Sequence, residues 1–239
     1  MLCTASIRNE PVVCHRYNIK ASVDDVVKFL SPFQVSLPPD LLPSKDYYPL
    51  YDVLVLRMTD DEQWTVEPRS WGFLPKAWKP SDRTRTSKAF QRGKINARSE
   101  TVHSTWPWRF AFPSQRCVML ASSFYEPSIH GGDTRYEVPG HSVFAIAGLW
   151  DEYEGDDGKG NEQSVSSCVM LTTDANPLVA STRKGRMRQP VLLTDPEAIQ
   201  RYCSLEVREH DHVSDLFTPW PDAQMTCEEP AAQKGLFEQ

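Results

Sequence analysis

Four short segments hold the side chains whose types could carry out chemistry. They read Cys14-His15-Arg16-Tyr17; Trp71-Gly72-Phe73-Leu74-Pro75 with Trp78 and Ile95-Asn96-Ala97-Arg98-Ser99-Glu100-Thr101; Arg116-Cys117-Val118 through Ser123-Phe124-Tyr125-Glu126; and Ala145-Ile146-Ala147-Gly148-Leu149-Trp150 with Arg186-Met187-Arg188-Gln189-Pro190-Val191-Leu192-Leu193. A thiol can attack a carbonyl group, a carboxylate can transfer protons, and an arginine can bind phosphate. Each residue alone has an ordinary explanation, since Cys14 could be a buried thiol, Glu126 a surface carboxylate and Asn96 a turn cap. Only the joint pattern favours a functional interpretation.

Positive charge is concentrated in the middle of the chain, although the net charge is −6. A lone acid, Asp82, interrupts the nine basic residues Arg69, Lys76, Lys79, Arg83, Arg85, Lys88, Arg92, Lys94 and Arg98. A second basic cluster is Arg183, Lys184, Arg186 and Arg188. Segregated charge creates a local positive field on an acidic protein. With the tryptophans of the same stretch, it predicts a surface that holds DNA, against the alternative of a solvated loop.

The elements Trp-Gly-x-x-Pro, Asn-Ala-Arg-x-Glu-Thr, Phe-Tyr-Glu and Ala-Gly-Leu-Trp follow one another between Trp71 and Trp150. In their order and spacing they resemble the SRAP family, the SOS-response-associated peptidase domain that is understood as an abasic-site DNA-crosslinking module. The resemblance runs from about Cys14 to Leu193, about three quarters of the chain. Any one element is weak, whereas four in order indicate homology.

The resemblance implies a reaction at an abasic site, where the sugar is ring-opened and carries an aldehyde. In the family, loss of the initiator Met exposes an N-terminal cysteine. This cysteine attacks the aldehyde. Its α-amine forms a Schiff base, and its thiol then closes a thiazolidine ring. By this resemblance Cys14 is the nucleophile, Asn96 orients it by hydrogen bonding, and Glu126 moves protons during ring opening and closure.

The resemblance also implies which side chains contact DNA. Arginines would bind phosphates and tryptophans would wedge or stack beside the unpaired site. The expected set is Arg16, Trp71, Trp78, Arg98, Arg186 and Arg188. The implied partner is single-stranded or gapped DNA with abasic sites. A monomer would bind it, without a cofactor, a metal ion or a membrane.

The sequence departs from the family pattern in several places. Thirteen residues precede Cys14, and an amide nitrogen in mid-chain is not a nucleophile. The glycine that follows the family cysteine is His15 here. At the family's His-x-Arg-x-Pro site, Arg186 stands where the histidine is expected. Arginine stays protonated and cannot shuttle protons near neutral pH, although it binds phosphate well.

Three hypotheses about function stay open at this point. In the first, residues 1–13 are removed by self-cleavage or a protease, or translation starts later, and Cys14 becomes a DNA crosslinker with possible lyase activity. In the second, the chain is a degenerate relative that binds DNA without covalent chemistry. In the third, it is a thiol peptidase, although a Cys14–Glu126 pair lacks the usual histidine base and only His15 is adjacent in sequence.

The elements that must position these residues are mostly strands. Ser22 to Leu30 is predicted to be a helix with a capping-box start, and a second helix is predicted from Thr194 to about Cys203. Strands are predicted at 51–58, 117–122, 143–150 and 165–173, and one or two more are predicted within 64–74. They are too close in sequence for βαβ crossovers. We therefore expect an α+β fold with a mostly antiparallel, strongly curved sheet or partial barrel and a few short flanking helices.

The chain is expected to form one domain over residues 14–217, after an extension at 1–13 and before a disordered tail at 218–239. The acidic segment 151–162 is predicted to be a hairpin loop or an insertion. No apolar run approaches the roughly 20 residues that span a bilayer, and no signal peptide is evident. The six cysteines lack the paired spacing of a zinc site. These features predict a cytoplasmic protein, nucleoid-associated in a bacterium, or a nuclear one in a eukaryote.

Overall fold

The computed structural model describes residues 14–38 and 45–230; the predicted extension at 1–13 lies outside these ranges. Within them the strands are β1 Arg16–Ile19, β2 Lys45–Tyr47, β3 Asp52–Met58, β4 Trp64–Trp71, β5 Asn96–Arg98, β6 Arg116–Ala121, β7 Ser123–Pro127, β8 Asp133–Glu137, β9 Phe144–Asp156, β10 Glu162–Asp174, β11 Arg188–Pro190, β12 Leu192–Leu193 and β13 Thr226–Glu228. The helices are α1 Val23–Leu30, α2 Ser87–Arg92, α3 Pro177–Thr182 and α4 Pro196–Cys203.

Five of the strands close into a barrel. Strands β4, β3, β6, β9 and β10 pair in this order through antiparallel ladders, and β10 returns to pair with β4 in parallel. Strands β3, β6, β9 and β10 carry continuous apolar runs, and every residue of β6 is buried. The predicted α+β class with a curved, mostly antiparallel sheet is therefore confirmed, and the sheet closes fully. Closure leaves no unpaired strand edge in the ring.

A second sheet lies beside the barrel, with strand order β13-β8-β7-β1-β2 and antiparallel pairing throughout. In its centre Arg16 pairs with Tyr125 and Tyr17 pairs with Phe124. Because the two strands run in opposite directions, the start of β1 meets the end of β7. This register brings the residues just before β1 next to Glu126.

The two predicted helices begin where their caps indicate. The Ser22 hydroxyl accepts from the Asp25 N–H while the Asp25 carboxylate accepts from the Ser22 N–H, which forms the predicted capping box of α1. Asp195 caps α4 and Pro196 occupies its first turn. The six-residue helices α2 and α3 are too short to show a helical period in the sequence.

The acidic segment that was predicted to be a loop or an insertion is largely strand. It forms the far arms of the β9–β10 hairpin, whose ladder continues to the pair Asp156 and Glu162. The turn of this hairpin packs on the start of α2, where the Ser87 N–H donates to the Asp157 carbonyl at 3.1 Å. Gly158 has a φ of +86°, and a Cβ atom there would lie 1.8 Å from the Arg85 carbonyl oxygen. Only glycine fits this contact.

The prediction of a disordered tail from residue 218 is wrong for residues 218–230. Strand β13 pairs with β8, and Met225 is buried in the main core. The Asn176 side-chain amide donates to the Trp220 carbonyl at 2.7 Å, which ties this segment to the start of α3. Met225 and the partly buried Trp220 pack this Pro-, Glu- and Gln-rich stretch against the core, although its average composition is typical of disorder.

Gly148 gives a test of the barrel's close packing. It lies in the middle of β9, and a Cβ atom there would be 2.6 Å from the Val169 carbonyl oxygen. We expect Gly148→Ala to lower the free energy of unfolding by about 1–3 kcal/mol, because strand backbones must move apart. Urea unfolding followed by tryptophan fluorescence measures the change. Gly93→Ala is the control, since its Cβ would meet only the Phe90 carbonyl oxygen at 3.6 Å. Equal midpoints for the two variants would contradict the expected strain.

Candidate active site

Cys14 and Glu126 meet where the start of β1 lies against the end of β7. The Cys14 backbone N–H lies 3.2 Å from Glu126 Oε1 and 3.0 Å from Oε2, so both carboxylate oxygens face this nitrogen. Both residues are completely buried. The Cys14 thiol lies 3.8 Å from the Arg16 carbonyl oxygen, which accepts its weak hydrogen bond. The carboxylate is thus aimed at the nitrogen of Cys14 and not at its sulfur.

Asn96 completes the contacts around the Cys14 backbone. Strand β5 runs parallel to β10, with Asn96 opposite Met170, and it begins beside the Cys14 segment. The Asn96 Nδ2 group donates to the Cys14 carbonyl at 3.0 Å. The nitrogen and the carbonyl of Cys14 are therefore both held by side chains. The structure brings together the three residues that the sequence predicted to be catalytic: Cys14, Asn96 and Glu126.

Arg183 is a further member of this cluster that the sequence analysis counted only as part of a basic patch. Its Nε donates to Glu126 Oε2 at 2.8 Å, and both side chains are 0% exposed. Its backbone is fixed at the end of α3 by a hydrogen bond to Val179. The chain then pairs with the end of β7, since the Lys184 N–H donates to the Pro127 carbonyl at 2.7 Å.

The basic group at Glu126 is thus Arg183 and not Arg186, where the sequence reading located the family histidine. Arg186 is exposed, three residues further along the chain. No signal in one sequence distinguishes the buried arginine of the patch from its neighbours. The distinction arises from the end of α3 and the backbone pairing with residues 127–129.

Burial dominates the electrostatics of the site. It raises the pKa of Glu126 to about 7, against the opposing effects of the Arg183 charge and the Cys14 N–H, which stabilise the carboxylate. Burial, and then the Glu126 charge, raise the pKa of the Cys14 thiol well above its usual value. Near neutral pH Glu126 can therefore both accept and release a proton, whereas the thiol is protonated and needs a base before it can attack.

An open pocket of about 480 Å³ adjoins the cluster. Three of its lining residues, His15, Ile95 and Pro127, are the sequence neighbours of Cys14, Asn96 and Glu126. The remaining lining residues are Tyr48, Pro49 and Arg92. The pocket is mainly apolar with a cationic residue at its wall, and its volume suits a nucleotide-sized ligand.

Arg16, predicted to bind phosphate, lies close to the site but has carboxylate partners. Its Nη2 lies 2.8 Å from Asp46 Oδ2, and its Nη1 lies 3.8 Å from Asp133 Oδ2. The guanidinium also stacks over the Tyr125 ring, with its Cζ 4.0 Å from the ring centroid. Arg16 therefore links β1, β2 and β8, and much of its charge is already balanced.

Trp71 and Trp78, which the resemblance implies wedge or stack beside the unpaired site, are both buried. Trp71 is 0% exposed in the main core, and its Nε1 donates to the Ile95 carbonyl at 2.8 Å. Trp78 is buried in a small satellite cluster, against Phe90 and Tyr153. Large aromatic side chains contribute more by burial than by exposure, and both indoles are used in this way.

Other aromatic side chains are exposed and available for stacking. Trp106 is 47% exposed, Phe110 is 65% exposed, and Tyr48 and Tyr51 form an exposed pair with ring centroids 5.7 Å apart. The guanidinium of Arg109 lies over the Phe110 ring. None of these residues was predicted to contact DNA, since residue type alone does not reveal which aromatic ring faces solvent.

The predicted phosphate-binding arginines separate into two groups. Arg98 and Arg186 are exposed. Arg188 does not fit the prediction, because its guanidinium is paired with Glu100 through two contacts of 2.8 Å and with Asp174 at 3.2 Å. Most of the basic stretch reaches solvent, and its exposed members are Lys76, Lys79, Arg83, Arg85, Lys88, Arg92 and Arg98. Arg69 is buried between Glu67 and Glu152.

No group of three or more His, Cys, Asp or Glu side chains within residues 14–38 and 45–230 is arranged to hold a metal ion. No helix in the same ranges has the length and apolar character needed to cross a bilayer.

The chain is similar in sequence and in fold to several known proteins. Among curated proteins the chain is similar to the abasic site processing proteins YoqW and YobE of Bacillus subtilis (strain 168). It is 25% identical to YoqW over 217 residues, which cover 87% of this chain and 88% of YoqW. It is 24% identical to YobE, covering 87% of this chain and 90% of YobE.

Solved structures show the same fold. A protein from Bacteroides thetaiotaomicron superimposes with a TM-score of 0.74 at 17% identity, over 90% of each chain. A protein from Bordetella bronchiseptica gives a TM-score of 0.71 at 25% identity, over 90% of this chain and 98% of that one. The sequence profile of the SOS response associated peptidase (SRAP) family matches residues 13–232, beyond the limit at Leu193 drawn from the motifs. The chain belongs to the SOS response associated peptidase family.

Proposed function

We propose that this protein processes abasic sites in DNA by forming a covalent link through Cys14. The observation that carries the proposal is the contact between both Glu126 carboxylate oxygens and the Cys14 nitrogen. That nitrogen is the atom that would attack an aldehyde, and a carboxylate beside it can take its proton. Relatives that cover most of the chain are named abasic site processing proteins, which supports the same substrate.

The reaction needs Cys14 to be the first residue. An α-amine has a pKa of about 8 and is partly neutral at physiological pH, so it can attack the sugar aldehyde. The resulting iminium is then closed by the thiol into a thiazolidine. Asn96 holds the Cys14 carbonyl during these steps, and Glu126 receives the amine proton. Removal of residues 1–13, by self-cleavage, by a protease or through a later translation start, would free this amine.

The substrate is proposed to be single-stranded or gapped DNA. The exposed lysines and arginines between Lys76 and Arg98 supply the counter-charge for phosphates. Arg92 joins this basic surface to the pocket beside Cys14, since it belongs to both. Single strands expose the bases and the opened sugar that a buried nucleophile must reach, whereas a stacked duplex hides them.

Intact-protein mass spectrometry tests the proposal. The full-length chain and a chain that begins at Cys14 are each incubated with a single-stranded oligonucleotide that carries one abasic site. We expect a species that starts at Cys14 and carries the oligonucleotide mass less one water. A tetrahydrofuran abasic analogue has no aldehyde and serves as the substrate control. Cys14→Ser is the protein control, because serine keeps the amine but has no thiol to close a stable thiazolidine.

Failure to form an adduct with the chain that begins at Cys14, while it still binds the oligonucleotide, would overturn covalent processing. A peptide product released without DNA by the chain that already begins at Cys14 would instead support the thiol peptidase hypothesis.

A second candidate is a DNA-binding protein without covalent chemistry. The observation that favours it is that the Cys14 nitrogen is an amide in the sequence as it stands, with thirteen residues before it. This candidate requires salt-dependent binding that survives Cys14→Ala.

Arg98 provides a test of the basic surface under either candidate. We expect Arg98→Ala to weaken binding to single-stranded DNA uniformly across sequences and to reduce its salt dependence, because one phosphate contact is lost. Fluorescence anisotropy at several salt concentrations measures both. Lys159→Ala, an exposed cation on the β9–β10 turn, is the matched control. Equal affinity for the Arg98 variant and the parent would show that DNA does not follow this surface.

A further inference from the structure

An aspartate–histidine pair lies in the wall of the pocket beside Cys14. His15 Nε2 is 3.4 Å from Asp133 Oδ1, and the two side chains are 30% and 23% exposed. The other ring nitrogen, Nδ1, is buried and has no hydrogen-bond partner among the described residues. Asp133 begins β8 opposite Pro127 of β7, so the pair is anchored by the same sheet that positions Glu126.

Three charged groups lie near this pair: Arg16, Arg92 and Glu126. Arg16 of β1 approaches Asp133 with its Nη1 at 3.8 Å from Oδ2, and Arg92 lines the same pocket. Asp133 also contributes to the raised pKa of Glu126 through its negative charge. Asp133 is therefore placed between His15 and Arg16, and it can orient the imidazole through Nε2.

The Glu126 carboxylate faces the Cys14 nitrogen and not its sulfur, so proton transfers at the aldehyde oxygen and at the thiol call for a second group. The Glu126 carboxylate is already held by the Cys14 nitrogen and by Arg183. Arg183 stays protonated and cannot donate or accept protons near neutral pH. The Cys14 thiol is buried and protonated, so it must lose its proton to a base before it attacks.

We propose that His15, oriented by Asp133, is a further catalytic residue that transfers protons at the aldehyde oxygen and the Cys14 thiol. This inference rests on the proposed function. The amine of Cys14 attacks the aldehyde carbon, forming a C–N bond and a hydroxyl group on that carbon. Protonated His15 gives a proton to the hydroxyl, the C–O bond breaks, and water leaves as the nitrogen lone pair forms the iminium.

The second half of the reaction returns the proton. Neutral His15 accepts the thiol proton, the sulfur forms the C–S bond, and the iminium electron pair goes back to nitrogen. The net change is loss of one water, with no oxidation or reduction, and His15 ends in its starting state. Histidine suits the two roles because it exchanges protons near neutral pH in both directions.

Chemical rescue tests this role in the form of the chain that makes the adduct. We expect His15→Gly to slow adduct formation about 100-fold, which is a typical effect of losing a general acid–base group. Added imidazole should restore part of the rate in this variant and leave the parent unchanged, because the pocket beside position 15 is open to a small ring. His15→Gln is the second variant, and it should be slow without any response to imidazole. Asp133→Asn should lower the rate about tenfold, through loss of orientation.

The outcomes separate the two proposals. A parent chain that makes no adduct overturns the proposed function, and the role of His15 with it. If the parent makes the adduct and the His15→Gly and His15→Gln variants make it equally fast, the role of His15 is overturned and the proposed function stands. Slow variants that imidazole does not rescue, and that also bind the tetrahydrofuran oligonucleotide more weakly, would assign His15 a structural role and overturn the inference.

Discussion

Replacement of Glu126 by glutamine will slow formation of the covalent adduct by about 100-fold or more, while the affinity for DNA stays the same. Glutamine keeps the shape of the side chain and can still accept a hydrogen bond from the Cys14 nitrogen. It cannot take up the proton that the amine must lose. Rates are measured with the chain that begins at Cys14, by gel separation of the adduct over time. Glu162→Gln on the β9–β10 hairpin is the matched control.

The same variant will change how the rate depends on pH. Burial raises the pKa of Glu126 to about 7, so the carboxylate that accepts the proton is populated above that pH and lost below it. We expect the parent rate to rise as pH increases through about 7, and Glu126→Gln to lack this rise. A variant that matches the parent in rate and in pH profile would remove Glu126 from the proposed reaction.

The second large effect concerns stability. Arg183→Met will lower the free energy of unfolding by about 3–5 kcal/mol, because it leaves the buried Glu126 carboxylate without its cation. Adding Glu126→Gln to that variant should recover most of the loss, since neither remaining side chain is charged. Urea unfolding of the parent, the two single variants and the double variant measures the coupling between the two positions. Additive losses would contradict a buried ion pair.

The stability of the parent should also vary with pH through Glu126. Its pKa is raised from its usual 4.5 to about 7 in the folded chain, so the folded state binds this proton more tightly than the unfolded state. The contribution to stability is fully present below about pH 4.5 and is lost as pH rises through about 7. The double variant lacks this group and should lose that part of the pH dependence.

Much of the fold could be predicted from the sequence, because strands of a closed barrel are apolar runs bounded by turns. The pattern located β3, β6 and the apolar portions of β9 and β10. The apolar pattern could not predict that the barrel closes, since the parallel pairing of Cys168 with Trp71 joins residues 97 positions apart. No local propensity encodes such a contact.

The site was predictable only where motif order carried information. The positions of Cys14, Asn96 and Glu126 came from motif resemblance, and the structure brings them into contact. Arg183 was not selected, because a cluster of four cations does not indicate which one is desolvated. The same limit applies to the tryptophans, because Trp71 and Trp106 are the same residue type in opposite environments.

Because the β9–β10 turn contacts the start of α2, the basic surface has a carboxylate-rich end and an end without these carboxylates. Asp156 and Asp157 lie at the N-terminal end of this helix, and Arg92 lies at its C-terminal end, about 9 Å away along the axis. That distance is close to the screening length in physiological salt. A phosphate near one end of α2 would therefore interact electrostatically with the charges at both ends. The carboxylates of Asp156 and Asp157 therefore lower the positive potential at the N-terminal end of α2 relative to the Arg92 end. Under the proposed function, phosphates would be held more strongly near Arg92, beside the pocket, than near the hairpin turn.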